Sequence, residues 1–269
     1  MVRFAVLLVL LAGCDQVFGL ERSGIDPRLD EDADGVPDAI DPCPHIANES
    51  LVDDDQDGVP VDCDPDDHAG GTQRLFFNFE GPMPAQLIVN GTIDIDPDGS
   101  VELGSANSSI DSIVVDHLTT STVLVDVGYE ILANKIEDVP MAYGPFDYAE
   151  LGLYTAKRSL DDDKTMRGNV CFFGTNPMSA SVPQPLYVEF AEDAGGFLAK
   201  REIGTLDGTT GRMRLVRTPL EVKCTVLRDG QGLLSNVAPV QDLGAAAGTV
   251  AVSTDAMRGK LRYLFIAYQ

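Results

Sequence analysis

Between residues 30 and 64, two twelve-residue stretches set carboxylates at alternate positions around a glycine. In the first, Asp30, Asp32, Asp34, Asp38 and Asp41 occupy positions 1, 3, 5, 9 and 12, with Gly35 at position 6. In the second, Asp53, Asp55, Asp57 and Asp64 occupy positions 1, 3, 5 and 12, with Gly58 at position 6 and Val61 at position 9. Alternate carboxylates can converge on one centre, and the glycine permits the turn that returns position 12 to it. Hard oxygen donors in that number suit Ca²⁺, with a backbone carbonyl at position 7 completing the shell. The expected ligands are therefore these nine aspartates together with the carbonyls of Val36 and Val59. Val61 supplies no carboxylate, so a water is expected to complete a weaker or differently coordinated second site.

Cysteines keep step with the acids. Cys43 falls at position 14 of the first stretch and Cys63 at position 11 of the second. Asp41-Pro42-Cys43-Pro44 and Asp62-Cys63-Asp64 around them resemble thrombospondin type-3 repeats, one of each alternating loop type. That resemblance covers residues 30–67. It implies little regular secondary structure, a chain wrapped around calcium, and a disulfide between successive repeats. One departure is Val61-Asp62-Cys63, where that family usually places its acid two residues before the cysteine. An EF-hand or dockerin would need flanking helices, which Pro37, Pro42, Pro44, Pro60 and Pro65 oppose. A solvated acidic tail would explain the charge, but not the repeated glycine and the matched cysteines.

The segments around these loops suggest how they are delivered. Arg3 precedes an apolar run from Phe4 to Ala12, too short to span a bilayer at about 20 residues but suited to a signal-peptide core. It ends in Leu11-Ala12-Gly13-Cys14, which resembles a bacterial lipobox and implies that Cys14 becomes the acylated first residue. Export and a membrane partner through the lipid anchor are expected, at the outer membrane, its periplasmic face or the cell surface. Asp15 is the feature that would favour inner-membrane retention in enterobacteria. Setting Cys14 aside leaves Cys43, Cys63, Cys171 and Cys224 in an oxidising compartment. Of three possible pairings, the division of the chain selects Cys43–Cys63 and Cys171–Cys224.

From Gly71 onward, short apolar runs alternate with turn residues. Fourteen strands are expected, beginning with Leu75–Phe79 and ending with Lys260–Tyr268, with period-two alternation clearest in Val123–Glu130 and Arg212–Arg217. Asp94-Ile95-Asp96-Pro97-Asp98-Gly99 imitates the start of a third calcium loop, but Ser105 stands at its position 12. Ile93, Ile95, Val101 and Leu103 flank a turn instead, so a hairpin is expected there. The order of segments, from the Leu75–Gly81 run through Glu221–Gly230 to Asp255–Gly259 and the final Leu261–Tyr268 run, resembles the concanavalin-like, laminin-G type of jelly roll, with an immunoglobulin-like pair of sandwiches as the alternative. The fold class is accordingly mainly β, a jelly-roll sandwich preceded by an irregular calcium-wrapped segment. The domain reading is a leader at 1–13, a linker at 14–29, repeats at 30–68 and the sandwich at 72–269.

Composition narrows the chemistry. The net charge is −24, from 43 acids against 19 bases, which opposes phosphate-backbone binding and excludes nucleic acid as an expected partner. There is no Trp to stack a sugar ring, and no Glu-x-Asp-x-x-Glu string to put two carboxylates on one strand face. Glu189 and Glu192 would point to opposite faces. His45, His68 and His117 are scattered, with no zinc or nucleophile-elbow motif. His68 reads as a solvated linker residue and His117 as a surface one. The expectation is a non-enzymatic, lipid-anchored envelope protein whose acidic stalk presents a sandwich to a glycan or surface protein. The alternatives are a polysaccharide hydrolase on the same fold, or a purely structural envelope protein.

Overall fold

A computed structural model describes residues 29–47, 50, 52–91, 93–104, 110–133, 149–156, 168–175, 185–191, 196–202, 210–228, 232–239, 247–255 and 257–269. Cys14 and the leader read over 1–13 lie outside the described residues, as do Glu192 and the side chain of His117.

Among the described residues fifteen strands form. The first eight are β1 (Gln73–Phe77), β2 (Ile88–Asn90), β3 (Ile93–Ile95), β4 (Val101–Leu103), β5 (Ile110–Thr120), β6 (Val123–Ala133), β7 (Ala149–Ala156) and β8 (Gly168–Thr175). The rest are β9 (Pro185–Ala191), β10 (Gly196–Glu202), β11 (Thr210–Arg217), β12 (Glu221–Arg228), β13 (Gly232–Pro239), β14 (Ala247–Asp255) and β15 (Arg258–Tyr268). All fourteen expected runs are present, most with ends shifted by a residue or two. Strand β13 is the addition. Its sequence, Gly-Leu-Leu-Ser-Asn-Val-Ala-Pro, has neither clean alternation nor β-branched enrichment, so it pairs because β12 offers it an edge.

The strands make two antiparallel sheets. The larger runs β13-β12-β11-β6-β15-β4-β3, with β1 also paired to β15. The smaller runs β10-β9-β8-β7-β14-β5-β2. Alternation decides which residues lie between them. Val123, Val125, Val127, Tyr129 and Ile131 of β6, Met213 and Leu215 of β11, and Val222 and Val226 of β12 turn inward. They meet Ile113, Val115, Leu153, Val250 and Val252 of the smaller sheet. Cys171 of β8 and Cys224 of β12 are bonded, with Cα atoms 5.3 Å apart, so this disulfide pins one sheet to the other through the core. Closing its span of 53 residues is worth about 4 kcal/mol of unfolded-state entropy.

The Asp94–Gly99 segment is a hairpin turn. Strands β3 and β4 pair across it, Gly99 N–H donates to the Asp96 carbonyl at 3.0 Å, and Asp96 N–H to that of Ser100 at 2.8 Å. Gly99 takes a φ of 81°, the left-handed region that glycine occupies without steric cost.

Opposite the core, the outer face of the larger sheet is unusually apolar along β1, β6 and β15. Phe76, Leu124, Tyr263, Phe265 and Ala267 project outward there, and Cys43, Ile46, Val59 and Cys63 pack onto them. The acidic segment therefore lies against the sandwich as a cap. A stalk holding the sandwich at a distance, as expected from the charge division, is not the arrangement of these residues.

Candidate functional site

The two acidic stretches fold alike, residue for residue. Position 9 donates its N–H to the carbonyl of the residue before position 1, as Asp38 to Leu29 at 2.8 Å and Val61 to Val52 at 2.9 Å. Positions 11 and 12 both donate to the proline at position 8, Pro37 or Pro60. The position-1 aspartate accepts from positions 5 and 6, with Gly35 N–H to Asp30 Oδ2 and Gly58 N–H to Asp53 Oδ2 both at 2.9 Å. Ala33 and Gln56 at position 4 take φ of 61° and 63°, and Gly35 and Gly58 take 96° and 89°. Short aspartate side chains that bond their own backbone two residues on explain why such a turn forms at all.

This backbone gathers carboxylates. Ligand-capable oxygens of Asp30, Asp32 and Asp34 lie within 4.8 Å of one another, as do those of Asp53, Asp55 and Asp57. Asp32 Oδ2, Asp55 Oδ2 and Asp64 Oδ2 are buried with no hydrogen-bond partner. Burial, followed by the repulsion of Asp34, Asp41 and Asp30, raises the Asp32 carboxyl to about 6 against a backbone bond from Asp34. Burial also raises Asp64 to about 6, with Asp57 and Asp55 adding to the effect. Thr72 donates its N–H to Asp57 Oδ2 and its Oγ1–H to Asp64 Oδ1, so position 12 of the second loop returns beside position 5. Glu31 rises to about 7, chiefly by burial.

The other expected ligands are less tightly gathered. Asp38 Oδ1 accepts from Glu31 N–H at 2.9 Å, and Asp41 Oδ1 accepts from Cys43 N–H at 2.7 Å. Val36 and Val59 donate their N–H groups to Asp34 and Asp57 at 2.7 and 2.9 Å. Asp66, Asp67 and His68 form a third acidic group, in which the His68 ring is 79% exposed beside Asp67.

Cys43 and Cys63 are bonded, with Cα atoms 5.9 Å apart, and the bridge is fully buried against the sheet. Beside it sits a group the sequence does not mark out. His45 stacks on Phe265 with ring centroids 4.1 Å apart, and its Nε2 lies 3.5 Å from Asp126 Oδ2. Arg214 Nε donates to the same oxygen at 2.6 Å, and Arg214 Nη1 donates to the Asp62 carbonyl at 2.8 Å. Tyr263 O–H donates to Asp126 Oδ1 at 3.3 Å. Gly128 makes room for that ring, since a Cβ there would stand 2.6 Å from it. Burial pushes the Asp126 carboxyl up, but Arg214, His45 and Arg212 together hold it below its ordinary value. Burial lowers His45, and the two arginines add to this against the pull of Asp126.

No family model matches this chain, and no curated protein matches it. Solved structures do. The Lotus tetragonolobus seed lectin superposes with a TM-score of 0.53 at 10% identity, covering 72% of this chain and 98% of the lectin. The winged bean acidic lectin complexed with methyl-α-D-galactose gives 0.53 at 10% identity, over 74% and 99%. The CBM2 module of the evolved Dit from Lactobacillus casei BL23 phage J-1 gives 0.51 at 7% identity, over 73% and 96%. The sandwich thus has the concanavalin-like jelly-roll fold of these lectins, with two facing antiparallel sheets.

Proposed function

We propose that this chain is a non-catalytic, lectin-like binding protein of the bacterial envelope, exported and anchored through an acylated Cys14, whose acidic segment takes up two Ca²⁺ ions. The domain limits are those read from the sequence, with repeats at 30–68 and the sandwich at 72–269, and the repeats act as a cap. The observation that carries the reading is the pairing of a lectin-type sandwich with two congruent loops whose buried Asp32, Asp55 and Asp64 oxygens lack partners. The donor set is all hard oxygen, which fits calcium. Asp30, Asp32, Asp34, Asp38 and Asp41 would hold the first ion with the Val36 carbonyl, and Asp53, Asp55, Asp57 and Asp64 the second with the Val59 carbonyl. Bound calcium supplies the positive charge that these crowded carboxylates otherwise lack. The protein's own part is to hold each loop against the sheet. The ligand is a glycan, with a surface protein as the other candidate.

A soluble version beginning at Asp15, screened on a glycan array with calcium and in parallel with EDTA, tests this reading. Reproducible binding that weakens in EDTA is the expected result. A blank array from folded protein would end the glycan reading, and an absence of calcium uptake in calorimetry would end the metal reading.

A further inference from the structure

A shallow groove crosses the outer face of the larger sheet beside the cap. It is lined by Arg212, Arg214 and Val216 of β11 and by Lys223, Thr225 and Leu227 of β12. The strand register sets them in three rungs, Arg212 opposite Leu227, Arg214 opposite Thr225, and Val216 opposite Lys223. Three cations and no carboxylate line it, in a chain whose net charge is −24. Beside the groove, on the same face of β6 and opposite Arg214 in register, Asp126 is fully buried, 2.6 Å from Arg214 Nε and 3.6 Å from that of Arg212. Among the lining residues and Asp126, three cations stand against one carboxylate. Arg214 is already bound to Asp126 and to the cap through the Asp62 carbonyl. Arg212, farther from Asp126 than Arg214 and with its side chain 25% exposed, and the exposed Lys223 are therefore the cations best placed to meet a ligand.

We infer that this groove binds an acidic glycan, a sugar chain bearing carboxylate or sulfate groups. The inference rests on the lectin-like reading and names its ligand class. Arg212 and Lys223 make charge-assisted hydrogen bonds to the anionic groups. The Thr225 hydroxyl meets sugar hydroxyls, and Val216 and Leu227 offer apolar surface to the C–H faces of the rings. A nucleic acid is the poorer fit, because no aromatic side chain lines the groove to stack a base. In a chain of net charge −24, a polyanion is drawn to a basic patch such as this one.

The test titrates the full chain, at constant calcium, with hyaluronan oligosaccharides, sulfated dextran, neutral dextran and single-stranded DNA. Binding of the carboxylated or the sulfated glycan, with little of the neutral one, is expected, and which of the two binds identifies the source of the anion. Lys223→Gln should weaken that binding about threefold, and Lys223→Gln with Arg212→Gln at least about tenfold. Added salt should weaken the wild type more than the double variant. Lys223 is exposed, so its single variant keeps the measurement meaningful if the double one folds poorly. Acidic-glycan binding unchanged in Lys223→Gln would overturn the inference, as would tighter binding to DNA. Glycan-array binding confined to neutral sugars would overturn it while leaving the lectin-like reading standing, whereas silence towards every glycan would overturn both.

Discussion

The two acidic loops share a backbone and differ in how they are tied down. The first is held by side chains of the sheet reaching out to it. Arg74 Nη1 donates to the carbonyls of Asp41 and Pro42, and Asn78 Nδ2 lies 3.5 Å from Asp38 Oδ2. The second is held by one such side chain, Arg214 bonding the Asp62 carbonyl, and is in addition continuous with the strand it caps. Asp57 Oδ2 accepts from Gly71 N–H at 2.9 Å and Thr72 N–H at 2.7 Å, and Thr72 Oγ1 donates to Asp64 Oδ1 at 3.2 Å. The C-terminal Gln269 adds bonds from its Nε2 to the Asp66 carbonyl and to Thr72 Oγ1, at 3.1 and 2.7 Å. A repeat can therefore be locally identical and yet carry unequal structural duty. In the second loop one carboxylate serves the proposed metal shell and the start of β1 together.

Breaking the tie between the loops should have the largest effect. Cys43→Ser with Cys63→Ser removes a crosslink over a separation of 20 residues, worth about 3 kcal/mol by chain entropy. Denaturant unfolding in calcium should show that loss. An unchanged midpoint would mean that the cap contributes nothing to the stability of the sheet beneath it.

The next comparison sets Asp57→Ala against Asp34→Ala. Each should remove one calcium ion by calorimetry, but Asp57→Ala should also destabilise the sandwich in EDTA by about 1 kcal/mol, since it removes the acceptor of the part-buried Thr72 amide while the exposed Gly71 amide returns to water. Equal effects of the two in EDTA would erase the asymmetry argued above.

Val61→Asp sharpens the same comparison from the other side. It gives the second loop the position-9 carboxylate that Asp38 supplies in the first, and should tighten calcium there about tenfold. Competition titration with a chelating dye reads this, and an unchanged weaker constant would place the difference elsewhere.

The smallest effect is expected from His45. Its folded-state pKa is lowered, so a neutral His45 stabilises the docked cap above its ordinary value of 6.5, and that contribution falls away as the pH drops below it. His45→Phe keeps a ring against Phe265 but cannot titrate. The stability difference between wild type and variant should move against the wild type from pH 7 to pH 5, and a flat difference would show that His45 does not sense the pH.

Much of the sandwich was legible in the chain because period-two alternation is a local property. The runs along β6, β11 and β12 assign their own inner faces, and the turn at Pro97-Asp98-Gly99 announces its hairpin. β13 was not legible, since its residues have no strand signature apart from the neighbour they join. At the candidate site the gathering of carboxylates in the two loops was legible through spacing, but the His45, Asp126, Arg214 and Tyr263 group was not. Asp126 reads as an ordinary outward residue of an alternating strand, and nothing in its neighbourhood reveals that another segment buries it. The groove formed by Arg212 and Lys223 escaped for the same reason, because it exists only where β11 and β12 lie side by side.

The sequence by itself determined the two loop backbones, since each aspartate bonds amides within a few residues of itself, and glycine alone meets the turn at position 6 without strain. It also determined which residues of the main strands turn inward. Tertiary structure alone decided where the acidic segment rests. A pair of loops with charge on one side and a disulfide, Val59 and His45 on the other lowers its free energy by laying that second side on apolar surface. The surface on offer is Leu124, Tyr263 and Phe265, which become neighbours only when β6 and β15 pair.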